Sequence, residues 1–220
     1  SYTEINYTRV ADPTTGSTVY HWRVPFSKDS ANYNPGLYSK AHDDKATYIY
    51  GQKEIWLVHS IESKTMIAEF TYADRQDGYG VIGENGGLAG NNLNRRLESI
   101  TLYAKPDRLL KSDPTPIKTV YFQYSYDLCP DTENSVKSLT SIPPNPHQGK
   151  LTLTGLYFTF GFSKKGSLSD YKFSYKNQSE QFSSKDYDRW GNYKPSMVNP
   201  NCGNPAPGDP ISNDEFPYSE

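Results

Sequence analysis

The clearest pattern in this chain is an alternation of apolar and polar residues with a period of two. The segment 117–126, IKTVYFQYSY, places Val120, Phe122, Tyr124 and Tyr126 on one side and more polar residues between them. Successive side chains of a β-strand point to opposite faces of its sheet. The segment is therefore predicted to be a strand with one half-buried face.

Three stretches between residues 54 and 175 share one plan, in which a Leu-containing strand is followed by an alternating strand that ends aromatic-x-Tyr. They are LVHSIESKTMIAEFTY (57–72), RLESITLYAK (96–105) with IKTVYFQYSY (117–126), and KLTLTGLYFTF (150–160) with DYKFSY (170–175). Each is predicted to form an antiparallel hairpin. We expect their closing aromatic pairs to line one buried side of the sheet: Phe70/Tyr72, Phe122/Tyr124 and Phe173/Tyr175.

The N-terminal part is predicted to add a further hairpin. Residues 2–10 and 17–24 have strand-like patterns and flank ADPTTGS, which is rich in turn-forming residues. Residues 27–45 have no clean period and are predicted to form a long loop.

One segment is ambiguous between helix and strand. In NNLNRRLESITLYAK, Leu93, Leu97 and Ile100 have helical spacing. We favour a strand from about residue 96, because Ile100, Thr101 and Tyr103 prefer strands and the segment parallels 150–160.

Composition supports a β-rich fold. Only 35% of the 220 residues are apolar, but 19 Tyr, 9 Phe and 3 Trp supply large rings, and 16 Gly and 16 Pro supply turns. We therefore predict an all-β fold of antiparallel hairpin repeats that form a twisted sheet with long loops. The predicted regions are 1–47 (hairpin and long loop), 48–195 (hairpin repeats) and 196–220 (Pro-rich extended tail or linker).

Charge and hydropathy reduce the number of function classes that fit this chain. The net charge is −2, with 23 basic and 25 acidic residues and no basic stripe, so nucleic acid is not an expected partner. The apolar runs are far shorter than a membrane span. The first residues, SYTEINYTRV, lack the pattern of a signal peptide, so we expect the chain to be a piece of a longer or processed protein.

The stretch TYADRQDGYGVIGENGG (71–87) is the best cation-loop candidate, with Asp74, Asp77 and Glu84 among glycines. A Ca²⁺ loop beginning at Asp74 fails at its fifth position, which is Gly78. The favoured interpretation is a hairpin loop with solvated carboxylates. No metal or other cofactor is predicted.

No catalytic motif is recognisable, so the chain is predicted not to be an enzyme. The four histidines form no HExxH pattern, and no GxSxG is present. A glycoside hydrolase, which needs only two suitably spaced carboxyl groups, remains an alternative. A carbohydrate-binding or adhesive β-sandwich is another, with Trp22 and Trp56 as weak candidate platforms; the other interpretation is that these rings fill the core.

The two cysteines, Cys129 and Cys202, both lie in loop-like sequence. A disulfide between them and two free thiols are both compatible with the pattern.

The hairpin segments, together with DYDRWGNYKP (186–195) after the third hairpin, resemble the RHS/YD-repeat-like proteins of Gram-negative bacteria. The resemblance is strongest to long secreted or cell-surface versions in bacteria that use type IX secretion. The segments that carry it are EIWLVHSIESKTMIAEF, RLESITLYAK, PIKTVYFQYSYDLCP, GKLTLTGLYFTFG and YKFSY.

The resemblance implies a non-catalytic structural or binding segment of a large secreted or surface protein. RHS-type repeats wind a long antiparallel sheet into a shell, which in characterised relatives encloses a toxic domain. The implied partners are other parts of the parent chain, and a cell-surface glycan or protein.

On this interpretation the segment after the third hairpin is a structural corner. Its residues are Asp188, Arg189, Trp190, Gly191 and Tyr193. Trp190 would pack its ring on the sheet, Gly191 would permit a tight turn, and Arg189 would pair with a carboxylate or stack on a tyrosine.

Overall fold

The computed structural model describes residues 2–12, 15–24, 26, 49–130, 132, 134–135 and 149–176. Within these ranges the chain is all-β, as predicted, with one short helix and one 3₁₀ turn at Lys165–Leu168. The strands are β1 (Glu4–Arg9), β2 (Val19–Val24), β3 (Ile49–Glu54), β4 (Trp56–Glu62), β5 (Met66–Gly83), β6 (Gly86–Ala104), β7 (Lys118–Leu128), β8 (Lys150–Thr159) and β9 (Tyr171–Lys172), and the helix is α1 (Lys105–Leu110).

The strands form two antiparallel sheets. The large sheet has seven strands in the order β1-β4-β5-β6-β7-β8-β9, and the small sheet pairs β2 with β3. The three predicted hairpin pairs are formed, as β4 with β5, β6 with β7 and β8 with β9. That they are copies of one repeat stays a prediction. The segment with helical spacing is a strand, as favoured, but β6 begins at Gly86, earlier than residue 96.

The predicted N-terminal hairpin is wrong, because β1 pairs with β4 and β2 pairs with β3. After β1, the Gly16 N–H donates to the Asp12 carbonyl at 2.9 Å, and the chain then enters the other sheet. Strand β4 provides hydrogen-bond partners for Asn6 of β1, whose side-chain amide donates to Ser60 and Glu62, each at 3.1 Å. The predicted loop 27–45, the tail 196–220 and the corner residues 188–193 lie outside the described residues.

Helix α1 interrupts the connection from β6 to β7 and was not predicted. Its sequence, KPDRLL, places a proline in the first turn, where the missing N–H costs nothing. Ion pairs hold it on one face of the large sheet, with Lys105 Nζ 2.7 Å from Glu62 Oε2 and Arg108 Nε 2.7 Å from Glu69 Oε1.

The large sheet divides into two arms at one end. β6 and β7 are paired only over residues 99–102 and 118–121. Beyond this pairing, β6 continues with β5 as far as Gly83, and β7 continues with β8 as far as Leu128. We call these extensions the β5–β6 arm and the β7–β8 arm.

The described hydrophobic core is small and lies where the two-stranded sheet packs on the β5–β6 arm. Phe26, Tyr79 and Val81 are buried there. Tyr50, Leu88 and Leu93 pack around them and are partly buried.

The two faces of the undivided part of the large sheet differ in chemistry. One carries a row of polar residues in register from β1 to β8: Asn6, Ser60, Glu69, Thr101, Thr119 and Thr159. The other, which we call the apolar face, carries Ile5, Ile61, Ala68, Phe70, Ile100, Leu102, Val120, Phe122, Leu156, Phe158 and Tyr171. Lys118 lies on the same face and places its ammonium 3.9 Å from the centroid of the Phe158 ring. The expectation of one buried aromatic side holds only in part. Phe70, Tyr72, Phe122 and Tyr124 are half-buried, but Phe173 and Tyr175 are exposed.

Candidate functional site

The candidate cation loop contains a buried ion pair. Asp77 is 1% exposed and lies in a bulge of β5, residues 75–78, that stands opposite Asn94 of β6. The Arg75 guanidinium donates from Nε and Nη2 to the two carboxylate oxygens of Asp77, at 2.9 and 2.8 Å. The Leu151 N–H of β8 also donates to Asp77 Oδ2 at 2.9 Å. Asp77 therefore ties the β5–β6 arm to the β7–β8 arm.

The structure does not bring Asp74, Asp77 and Glu84 together. Asp74 pairs with Arg95, and the carbonyl oxygen of Glu84 accepts a hydrogen bond from Arg23 Nε at 3.1 Å. In the described part of the chain, no group of three His, Cys, Asp or Glu residues has the arrangement to hold a metal ion. The expectation of solvated carboxylates is wrong for Asp77, because Arg75 and the backbone of β8 replace water as its partners.

Further hydrogen bonds close the bulge. The Tyr20 hydroxyl donates to the Gly78 carbonyl at 3.0 Å and accepts from the Asn94 amide at 3.1 Å. The Gln76 N–H donates to the Tyr126 hydroxyl at 2.9 Å, a second link to the β7–β8 arm. Gly78 permits this packing, since a Cβ there would lie 2.8 Å from the Asn94 Cβ.

Burial raises the pKa of Tyr20 to about 12 from 10.0, and the nearby Arg75 partly offsets this. Above pH 10 the unfolded chain loses this phenol proton, whereas the folded chain keeps it until about pH 12. The contribution of Tyr20 to stability is therefore complete below pH 10 and declines as the pH rises towards 12.

We expect Tyr20→Phe to lower stability by about 1–2 kcal/mol at pH 7, because it leaves the Gly78 carbonyl without its donor. The variant should also show a shallower loss of stability above pH 10 than the wild type. Urea unfolding at pH 7, 9, 10 and 11 measures both effects. Equal slopes in the two proteins would contradict the buried position of this phenol.

The two candidate tryptophans lie on different sheets and form no common platform. Trp22 is half-buried and covers Gly51 on the neighbouring strand, where a Cβ would lie 2.7 Å from its Cε2 atom. Trp56 is exposed, and the Arg9 guanidinium stands 5.5 Å from the centroid of its ring. These contacts give Trp22 a structural role and leave Trp56 partly covered by a cation.

Cys129 follows β7 and is half-buried, with a positive φ of 53°. Cys202 lies outside the described residues, so a disulfide and two free thiols both stay as open alternatives. The corner residues Asp188, Arg189, Trp190, Gly191 and Tyr193 also lie outside them, and their role stays a prediction as well.

A groove of about 470 Å³ opens at the end of β7 and β8 away from the arms. Its floor holds Tyr121 and Tyr157, which face each other in register, with ring centroids 5.0 Å apart and planes inclined by 21°. The loop after β8 and the 3₁₀ turn form its wall. The remaining lining residues are Pro116, Thr119, Thr159, Gly161, Phe162, Ser163, Lys164 and Ser167.

The described lining of the groove is rich in hydroxyl groups and includes one charged side chain, that of Lys164. Thr119 is buried and donates to the Thr101 hydroxyl at 3.3 Å, while Ser167 donates to the Lys164 carbonyl at 2.9 Å. The described lining contains no Asp, Glu, His or Cys. The described lining therefore suits the binding of a ligand with both apolar and hydroxyl-bearing surfaces.

The sequence indicated neither the Tyr121–Tyr157 pair nor the groove. Tyr121 lies on the face opposite the aromatic set that the alternation picked out, and Tyr157 is one of several rings in a strand. Their meeting depends on the register between β7 and β8, for which the sequence carries no local signal.

No known protein family matches this sequence, and no curated protein or solved structure shows detectable similarity to it. Among the residues described, neither helical segment has the length and apolar character needed to cross a membrane.

Proposed function

We propose that this chain is a non-catalytic structural segment of a larger bacterial secreted or surface protein, and that its large sheet packs against neighbouring parts of the parent. The resemblance to RHS/YD-repeat-like proteins is the reason for proposing a larger parent protein. The apolar face is the observation that supports packing against other parts of that parent. A shell around a toxic domain is the finer form of this proposal, and rests on the resemblance alone.

The side chains of the apolar face are of the kinds that fill protein cores, but they are only half-buried or exposed. A central row runs in register across four strands as Phe70, Ile100, Val120 and Phe158. All four side chains are only half-buried among the described residues. The row is apolar across four strands, with the Lys118 ammonium beside Phe158 at its end. An exposed apolar surface of several strands is typical of an interaction surface, which supports packing against further protein.

Both edges of the sheet carry exposed rings. Tyr7 on β1 is 58% exposed, and Tyr171 on β9 is 61% exposed. Strands that end a sheet are usually protected from further pairing by lysine, proline or a bulge. The extra residue at the register shift between β1 and β4 is His59 of β4, so β1 itself is not bulged, and its exposed Ile5 and Tyr7, like Tyr2 just before it, do not discourage contact. β9, at the other edge, carries Lys172, whose side chain is 80% exposed, so the β1 edge is the one that supports continuation into a larger β-structure.

A photo-crosslinking residue in place of Phe158, in the full parent chain produced by its own host, tests this proposal. We expect crosslinks from this position to protein outside residues 1–220, because Phe158 lies in the central apolar row. The matched control is the same residue at Thr71, which is exposed and lies on the opposite face. It should give few such crosslinks.

Crosslinks from position 158 that stay within residues 1–220 would overturn the proposal, because the chain would then cover its own apolar face. The proposal would also be overturned if the parent chain consisted of these 220 residues and position 158 crosslinked to a separate protein. That result would favour an adhesive module. Peptide mapping of the crosslinked product distinguishes these results.

A further inference from the structure

We propose that the groove beside Tyr121 and Tyr157 binds a pyranose sugar of a polysaccharide. This site is distinct from the apolar face, since Tyr157 lies on the side of β8 opposite Phe158. It is also distinct from both candidate tryptophans, neither of which lines it.

The stacked rings supply the surface that a sugar ring requires. Pyranoses have faces of C–H groups that pack on aromatic rings, while their edges carry hydroxyl groups. Tyr121 and Tyr157 are half-buried and brace each other at 5.0 Å, so their orientation is fixed before a ligand arrives. A preorganised surface loses little side-chain entropy on binding.

The hydroxyl groups around the rings match the edges of a sugar. Ser163 accepts from the Lys165 N–H at 3.4 Å, so its own proton remains available to a ligand. Thr159 and both phenols add groups that can donate and accept. Several hydroxyl groups beside an aromatic floor favour a polyhydroxylated ring over a purely apolar ligand.

Charge narrows the ligand further. Lys164 is the one charged residue among the lining residues described, and no carboxylate opposes it. One ammonium is enough to favour a sugar that bears a carboxylate, such as a uronic acid. A nucleotide, with several phosphate charges, would call for more cations or a nest of backbone N–H groups.

The wall of the groove is built into the fold. Gly166 lies so close to the Phe158 carbonyl oxygen that a Cβ would overlap it, which seats the 3₁₀ turn against β8. Gly161 adopts a φ of +54°, which turns the chain from β8 into the wall. Phe162 lines the groove from this loop with most of its surface exposed.

Affinity electrophoresis of the 220-residue chain tests the proposal. The gels would contain soluble polysaccharides of defined composition: polygalacturonate, alginate, a mixed-linkage β-glucan and a galactomannan. We expect retardation by at least one of them. Tyr157→Ala and Tyr121→Ala should each weaken that binding about tenfold, the size expected for loss of one ring. Tyr157→Phe should retain most of it, since the ring remains.

The matched control is Tyr171→Ala, which removes an exposed tyrosine on the opposite face and should leave retardation unchanged. Lys164→Gln should weaken binding of the acidic polysaccharides and leave that of the neutral ones. Circular dichroism confirms that each variant is folded. The proposal is overturned if no polysaccharide retards the wild type, or if retardation survives the combined loss of both rings. Neither of these two results would change the outcome expected from crosslinking at position 158, so the sugar site and the packing of the apolar face are tested separately.

Discussion

Replacing Asp77 with alanine is expected to destabilise the fold by about 3–5 kcal/mol, the typical cost of removing one partner of a buried ion pair. The substitution removes both acceptors of the Arg75 guanidinium and the acceptor of the Leu151 N–H. Arg75 would remain in a half-buried site with an uncompensated charge, because its own side chain is only 31% exposed. Urea unfolding followed by circular dichroism measures the change.

Two variants separate the charge of Asp77 from its hydrogen bonds. Asp77→Asn keeps an oxygen that can accept from Leu151 but loses the charge, so it should cost less than the alanine variant. Asp74→Ala removes a partly exposed carboxylate that pairs with Arg95, and should cost less than about 1 kcal/mol. Equal losses in Asp77→Ala and Asp74→Ala would contradict the buried tie.

The position of Asp77 explains why a large effect is expected. In the strand order, β6 and β7 separate β5 from β8, yet the Asp77 carboxylate reaches the backbone of β8. The two arms must therefore approach each other beyond the last β6–β7 pair. The Gln76 N–H, bonded to the Tyr126 hydroxyl, and the Arg96 guanidinium, 5.3 Å from the Tyr124 ring centroid, bridge the same gap. Among the described residues, polar contacts join the two arms where no ladder of backbone hydrogen bonds connects them.

Local pattern predicted the hairpins β4–β5, β6–β7 and β8–β9, but it assigned residues 71–87 to a loop, where β5 continues as a strand to Gly83 and β6 begins at Gly86. The alternation in β7 is a property of residues adjacent in sequence, and its predicted pairing with β6 needs only a connection that returns. The predicted hairpin of residues 2–10 and 17–24 was wrong, because a short connection between two strands also allows the second strand to enter another sheet. The Asn6 contacts to Ser60 and Glu62, which favour β4 as the partner of β1, join residues more than fifty positions apart.

The features of the candidate sites depend on register and were out of reach of the sequence. Asp77 is buried because four residues, 75–78, bulge opposite Asn94 and so meet β8, and a glycine-rich stretch with carboxylates gives no sign of this. The groove needs Tyr121 to face Tyr157, and a register slip of one residue would send Tyr157 to the other face. Sequence pattern identifies which residues lie in strands, whereas these sites arise from how the strands meet.

The second large effect is expected at Gly149, the residue immediately before β8. A Cβ there would overlap the Leu128 carbonyl oxygen and lie 2.8 Å from the Tyr126 carbonyl oxygen. The same residue donates its N–H to Tyr126 at 2.8 Å and accepts from the buried Ser135 hydroxyl at 2.9 Å. We expect Gly149→Ala to cost about 3 kcal/mol, at the upper end of the range for overpacking, because both clashing atoms belong to the backbone.

Gly83→Ala is the matched control, since nothing lies within 4 Å of a Cβ at that position. It should be neutral or stabilising by up to about 1 kcal/mol, because alanine restricts the unfolded chain more than glycine does. Thermal melts and urea unfolding of both variants give the comparison. If Gly149→Ala melts at the wild-type temperature, the start of β8 does not lie against β7 as described.

The effects of the Asp77 and Gly149 substitutions on stability should also be coupled. Gly149 lies two residues before Leu151, whose N–H donates to the Asp77 carboxylate. If alanine at position 149 moves the start of β8 away from β7, the Asp77 bond is already weakened, and removing Asp77 then costs less. A double-mutant cycle of Gly149→Ala and Asp77→Ala should therefore give a combined loss smaller than the sum, by more than about 0.5 kcal/mol. Strict additivity would mean that the carboxylate stabilises the β5–β6 arm alone, and the polar tie between the two arms would have to be abandoned.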